Sequence, residues 1–484
     1  MTEVRVVGDV LLRDAELGEG RYGDVRVADG RVVDIASRLA RRPGEETVDC
    51  RRGALLPGLA DHHLHLHALA AHRRSVRCGP PAVRDGAGLT AALASATPDA
   101  HGWIRGVGYH ESVAGDLDAA ALDRIHARHP VRVQHRSGAL WIVNSRAATV
   151  LSLASGDHPG IERDATGTPT GRLWRADDWL RDRLPRTRPP GLAPVGQELA
   201  RLGVTAVTDA TPDLSREAFT AIVDSMATGR LPQRVHLLGT PLGHCPDGDF
   251  GESRRPTPGP YKIVLADSGL PSLDGLLERI HAARSAHRAV AVHAVTREAL
   301  VLLLVALRET GTVPGDRIEH AALVPAELIG DIAELGLRVV TQPGFLAARG
   351  DDYARDVPAA DHADLYRCRS LAEAGVPLAL SSDAPYGPLD PWAVMAAAVR
   401  RTTPLGQILT PQERLTPETA LNAFLTPPND PGGRPRQVKA GTVADLVVLH
   451  TGRADMLTNP RAEGVRATLL AATRRPPDQA RPDK

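Results

Sequence analysis

Residues 57–67 read Pro57-Gly58-Leu59-Ala60-Asp61-His62-His63-Leu64-His65-Leu66-His67, and few structures tolerate such a segment. Four imidazoles within six positions are costly in an apolar core, because each buried ring needs a hydrogen-bond partner. On a strand, side chains alternate between faces, so His63 and His65 project the same way from adjacent pleats. Two such rings can hold one divalent ion, and imidazole suits zinc and similar metals. A bare His-x-His also arises by chance. The Pro-Gly turn before this one, and the apolar Leu64 and Leu66 between the rings, favour a strand ending in a metal site.

Further ligands are sought by asking what else a hydrolytic metal site needs. His293 ends the apolar run Ala289-Val290-Ala291-Val292, and His320 ends Arg317-Ile318-Glu319. Asp383 follows Val376-Pro377-Leu378-Ala379-Leu380-Ser381-Ser382, and Lys262 sits in Tyr261-Lys262-Ile263-Val264-Leu265. Each could be a capped or surface residue on its own. Together, in order and at strand ends, they match the way a β/α barrel builds its chemistry.

Lys262 carries a compositional signal. Among 58 basic residues, lysine occurs at only three positions, Lys262, Lys439 and Lys484. Arginine stays charged, whereas a lysine near metals can lose its proton and react. The plainer alternative is a lysine whose stem packs while its head reaches solvent. Its place inside an apolar run, after Gly259-Pro260, favours the reactive role.

These residues resemble the metal-dependent amidohydrolase superfamily, nearest the branch called amidohydrolase family 3, over nearly the whole chain. Asp29-Gly30-Arg31-Val32-Val33-Asp34-Ile35 resembles the family's small β-domain, and Leu55 to His65 its first barrel strand. Gly203 to Asp209, Arg317 to His320 and Ser381-Ser382-Asp383-Ala384-Pro385 resemble later strands. Leu415 to Leu421 and Gly441 to Leu449 resemble the closing helix and the return to the β-domain. The resemblance implies His63 and His65 on one metal and His293 and His320 on a second. It also implies a carbamylated Lys262 bridging the two, and Asp383 touching metal and water. Two departures stand out: Val295-Thr296 follows His293 where members often carry Gly-Asp, and Ala139 replaces a histidine before Asn144-Ser145.

The expected fold is α/β: a (β/α)8 TIM-type barrel with a small β-sandwich domain built from both chain termini. Residues 1–56 alternate short Val-rich runs with Gly and Asp turns, which read as strands. From 57 to 435, β-like runs alternate with helical stretches such as Leu273 to Arg284 and Ala326 to Leu335. Strands return at 438–449, so 436–473 completes the small domain, and the proline-rich, charged segment 474–484 reads as a disordered tail. The proline-dense segments 181–194 and 241–260 read as long loops.

Charge and cysteine content narrow the partners. The 58 basic and 58 acidic residues cancel, which gives no electrostatic case for nucleic acid or an anionic membrane. Cys50, Cys78, Cys245 and Cys368 show no paired spacing, which favours reduced thiols in a cytoplasm. No long apolar stretch follows Met1, so neither signal peptide nor membrane span is expected. His62 should face away from His63, and His67 should lie past the strand end. Arg136, in the polar run Arg132-Val133-Gln134-His135-Arg136-Ser137, could grip a substrate carbonyl or carboxylate or pair with a core acid.

The expected activity is metal-dependent hydrolysis of a non-peptide carbon–nitrogen bond in a small-molecule amide, cyclic amide, formamide or related compound. One or two divalent metals per chain, zinc foremost, would serve it, in a chain free to form homo-oligomers. Asp383 would shuttle the proton. The alternatives are a deaminase or other hydrolase on the same site, and a non-catalytic barrel serving as a binding or assembly protein.

Overall fold

The computed structural model describes residues 2–18, 20–186, 188–243, 256–266 and 269–471. The expected tail 474–484, Cys245 and most of the segment 241–260 lie outside them. The described chain is a mixed α/β fold in two compact units, Met1–Leu69 with Gly191–Lys484, and Ala70–Pro190.

In the larger unit, both chain ends build β-structure. One sheet runs Glu3–Val7, Val465–Ala471, Leu446–Leu449, Leu55–Pro57; the other runs Arg31–Ala36, Tyr22–Ala28, Val10–Glu16, Glu46–Asp49. The two share one apolar core, in which Val10, Leu12, Val25 and Val27 meet Leu446, Val448 and Leu469. Short Val- and Leu-rich runs between Gly and Asp turns make these strands legible, and most of their residues are buried.

The same unit holds two parallel sheets. One is ordered Thr257–Pro258, Arg234–Leu237, Val204–Asp209, Leu59–Leu64; the other is ordered Tyr261–Val264, Val290–Ala294, Arg317–His320, Arg338–Thr341, Leu378–Leu380. The central strands are buried on both faces, polar residues included, as parallel strands usually are. Backbone hydrogen bonds bridge the two sheets at both ends. Lys262 N donates to Leu238 O at 3.2 Å, Asp383 N to His63 O at 2.8 Å, and His65 N to Ala384 O at 2.9 Å. Helices Arg216–Ala227, Leu273–Ser285 and Arg297–Thr310 follow their strands, capped by Ser215, Ser272 and Thr296, each accepting from a backbone N–H three residues on. Leu303, Leu304 and Leu307 of the last pack on Val292 and Ile318. The stretch 326–335 forms a 3-10 turn, Ala326–Leu328, then a helix, Ile329–Glu334. The segment 181–194 departs from the expected loop: its start belongs to helix Asp177–Arg183 and its end to Ala193–Arg201.

The unit Ala70–Pro190 has a six-stranded sheet of its own, ordered Ile161–Arg163, Pro169–Trp174, Leu140–Val143, Val131–His135, Ile104–Tyr109, Val76–Arg77. Its own apolar cores include Leu89, Tyr109 and Val133, and Trp103, Trp141 and Leu173.

Candidate metal centre

Each predicted residue of the larger unit sits at or just past the carboxyl end of a parallel strand, except Lys262, which lies second in Tyr261–Val264. His63 is the penultimate residue of Leu59–Leu64, and His65 follows the strand. Their partner Asp383 follows Leu378–Leu380. Potential ligand atoms of His63, His65 and Asp383 lie within 4.8 Å of one another. Asp383 Oδ1 is 3.6 Å from His63 Nε2 and 3.3 Å from His65 Nε2. His320 Nδ1 lies 3.9 Å from Asp383 Oδ2, its ring 4.7 Å from that of His63 and 4.3 Å from that of His293. Arg136 belongs to the other unit, after the strand Val131–His135, its backbone N–H donating to Tyr109 O at 2.9 Å.

A network outside the cluster orients these rings. His63 Nδ1 bonds Glu319 Oε2, and Glu319 Oε1 accepts from Arg317 Nε at 2.5 Å. With Nδ1–H given to a carboxylate, Nε2 carries the lone pair and faces Asp383, the arrangement that suits an imidazole ligand. His65 Nδ1 pairs with Thr211 Oγ1 at 3.2 Å. His320 Nδ1 donates to Gln342 Oε1 at 2.8 Å, and Gln342 Nε2 donates to Ser381 Oγ at 2.9 Å. Asp61 Oδ1 accepts from the backbone N–H groups of His63 and Ser382, at 3.2 and 3.1 Å. As expected, His62 faces elsewhere, its Nε2 3.0 Å from Thr426 Oγ1. His67 lies in the helix Leu66–Arg73 and reaches Ala218 O at 2.9 Å.

Backbone strain concentrates at the cluster. His320, Ala321 and Asp383 adopt φ of +74°, +47° and +52°, a region disfavoured for residues with a Cβ. At His320 this breaks the strand's alternation, which allows Glu319 and His320, sequence neighbours, both to contact the cluster's residues.

Burial sets the charge states. His63 and His320 are pushed well below the usual imidazole range, first by desolvation and then by neighbouring cations, so both are neutral at pH 7. Burial brings the Lys262 amine down to about 8, against the opposing pull of Glu319 and Asp383. Among the described residues, His63 Nε2, Asp383 Oδ1 and Lys262 Nζ are buried polar atoms without hydrogen-bond partners. Buried orphans of this kind are expensive. A nitrogen lone pair and a carboxylate oxygen converging without protons suit a divalent cation, so the donor set fits a metal.

Glu319, Gln342 and Asp61 escaped the sequence reading. Strand alternation puts Glu319 on the face opposite His320, and the left-handed turn at His320 overrides it. Gln342 follows the apolar run Arg338–Thr341, the signal that found His293, but its amide has no metal preference.

Residues 46–471 match the model of the amidohydrolase family. The chain is 26% identical to an N-substituted formamide deformylase from Arthrobacter pascens, over 91% of this chain and 92% of that one. Its fold is similar to two uncharacterized metal-dependent hydrolases. The one from Pyrococcus horikoshii OT3 has a TM-score of 0.71 at 20% identity, covering 96% of this chain and 98% of that one. The one from Pyrococcus furiosus has a TM-score of 0.69 at 21% identity, covering 90% and 98%.

Proposed function

The chain belongs to the amidohydrolase family, and we propose that it is a metal-dependent hydrolase of a non-peptide carbon–nitrogen bond in a small amide, formamide, cyclic amide or related compound. The observation that carries this is the convergence of His63, His65 and Asp383, with His63 Nε2 and Asp383 Oδ1 buried and unpartnered. The formamide deformylase likeness, spanning nine-tenths of both chains, favours an amide carbonyl as the group attacked.

In this reading His63, His65 and Asp383 hold one divalent ion, zinc foremost. His293 and His320 would hold a second, and Lys262, uncharged for part of the time near neutrality, would be carbamylated and serve as a shared ligand. The ion, when bound, lowers the pKa of water from ~16 toward ~7 and polarises a carbonyl. Glu319 holds the His63 ring so that Nε2 faces Asp383, and Gln342 fixes the His320 ring through Nδ1. Asp383, within reach of both His63 and His65, takes the proton from water at a carboxylate oxygen and returns it to the departing nitrogen. The two parallel sheets are read as one (β/α)8 barrel over 57–435, closed by the bonds at Asp383 and Lys262. The two terminal sheets are read as a β-sandwich of 1–56 with 436–473.

Metal content decides the core of this. Replacing His63 and His65 together with alanine should abolish bound metal, measured by plasma mass spectrometry, and hydrolysis of N-substituted formamides, with the circular dichroism spectrum kept. Wild-type metal occupancy in a folded double variant would remove the two histidines as ligands.

A further inference from the structure

The chain is poor in aromatic rings, with four phenylalanines and six tyrosines in 484 residues. Four of these ten, Phe345, Tyr353, Tyr366 and Tyr386, gather around the loop that carries Asp383. The Tyr386 ring stands 5.6 Å from His65. The Phe345 ring packs so closely on Gly387, four residues past Asp383, that a Cβ there would lie 3.2 Å from it. Phe345 and Tyr353 flank Tyr366 at 6.4 and 6.0 Å, and the two tyrosine hydroxyls meet at 3.1 Å.

Set into this wall is Arg349. Its guanidinium lies 4.3 Å from the Phe345 ring centroid and 5.7 Å from that of Tyr353. It interrupts the helix Gly344–Asp356 with non-helical backbone angles, φ −152° and ψ 27°. Its Nε is buried without a partner. Its guanidinium interacts with the Tyr353 hydroxyl, and Tyr366 and Asp383 also lie within reach of its charge. Other arginines of this unit, some also with an unmet nitrogen, have an acid or carbonyl partner. Arg26 has Glu45, Arg317 has Glu319, Arg367 has Asp364, and Arg401 has the carbonyls of Leu365, Tyr366 and Leu409. Among the described residues, no carboxylate is in ion-pair contact with Arg349. A half-buried guanidinium on aromatic rings, within electrostatic reach of Asp383 and without an acid of its own, suits an anion supplied from outside.

We propose that Arg349 is a specificity-determining residue that binds a carboxylate on the substrate, with Phe345 and Tyr353 packing its apolar or aromatic portion. This rests on the reading of the His63–His65–Asp383 cluster as the hydrolytic centre and narrows its substrate class to amides bearing a carboxylate.

Two measurements separate the readings. The first is calorimetric titration with phenylacetate, an unreactive aryl carboxylate, and with neutral phenylacetamide. The wild-type protein should bind phenylacetate saturably and more tightly than phenylacetamide. Arg349→Met should weaken phenylacetate at least about 10-fold, the range for a lost charged hydrogen bond, and Arg349→Lys should restore part of it. The second is hydrolysis of N-formylphenylalanine against N-formyl-2-phenylethylamine, which differ by the carboxylate alone. The kcat/KM ratio should favour the carboxylate in the wild type and collapse in Arg349→Met, chiefly through KM. Phenylacetate binding that is absent, or equally strong in Arg349→Met, overturns the proposal. Intact Arg349-dependent binding with neither formamide hydrolysed leaves it standing and counts instead against the amide-hydrolysis reading.

Discussion

Two carboxylates, Glu319 and Asp383, contact the same imidazole from opposite nitrogens, and their surroundings give them different tasks. Glu319 is fully buried and bound to Arg317, so its acceptor capacity is spent on holding His63. Asp383 keeps one oxygen unpartnered and faces two further histidines. The substitutions Glu319→Gln and Asp383→Asn should therefore fail differently. Glu319→Gln should weaken metal affinity about 10- to 100-fold, as is typical when a ligand's supporting hydrogen bond is lost, with turnover largely restored at saturating metal. Asp383→Asn should lower turnover at least ~100-fold even when metal-loaded, the range of lost acid–base catalysis. Metal titrations paired with kcat at saturation distinguish the two. Near-normal turnover in loaded Asp383→Asn would remove it as the proton carrier, and equal metal affinity in Glu319→Gln would reduce that residue to packing.

At the scale of elements, the first and last strands of the parallel sheets are joined by a short seam that places the cluster. Asp61 holds it: one carboxylate oxygen accepts from His63 N on one strand and Ser382 N just past the other. Burial raises its pKa to about 6, an expense offset by those two bonds. Asp61→Ala leaves two buried N–H groups unmet, at roughly 1–3 kcal/mol each, so a loss of about 2–6 kcal/mol is expected. Asp61→Asn keeps an acceptor and should lose less. Urea midpoints measure this, and an Asp61→Ala protein as stable as wild type would mean that water replaces the carboxylate. The sequence announced Leu59–Leu64 through its histidines after a Pro-Gly turn, and Leu378–Leu380 with Asp383 because an acid ending an apolar run is conspicuous. It hid Glu319, since strand alternation assigns it the face opposite His320, and only the left-handed turn at His320 overrides that. Reading 57–435 as one barrel does not separate the unit Ala70–Pro190, because its strands carry the same Val- and Ile-rich pattern and differ in pairing, a non-local property. Arg349 and its rings lie in a helix, where an aromatic looks like ordinary core.

For the molecule as a whole, equal numbers of acidic and basic residues leave little net repulsion near neutrality, so sensitivity to mild acid comes from particular buried groups. His62 and His236 are the clearest. Desolvation, followed by the charge of Arg317, lowers each to about 3, and each ring donates or accepts a single hydrogen bond, to Thr426 and Thr257. Unfolded, both titrate near ~6.5. Between those values the unfolded chain binds more protons than the folded one, so their contribution is complete above pH ~6.5 and is lost as pH falls toward 3. The slope approaches about 1.4 kcal/mol per pH unit for each imidazole. Urea midpoints of the wild-type chain should drop between pH 7 and pH 5, and those of a His62→Gln, His236→Gln double variant should drop distinctly less. Parallel losses in the two proteins would assign the acid sensitivity to other groups and show that these two rings keep solvent access in the folded state.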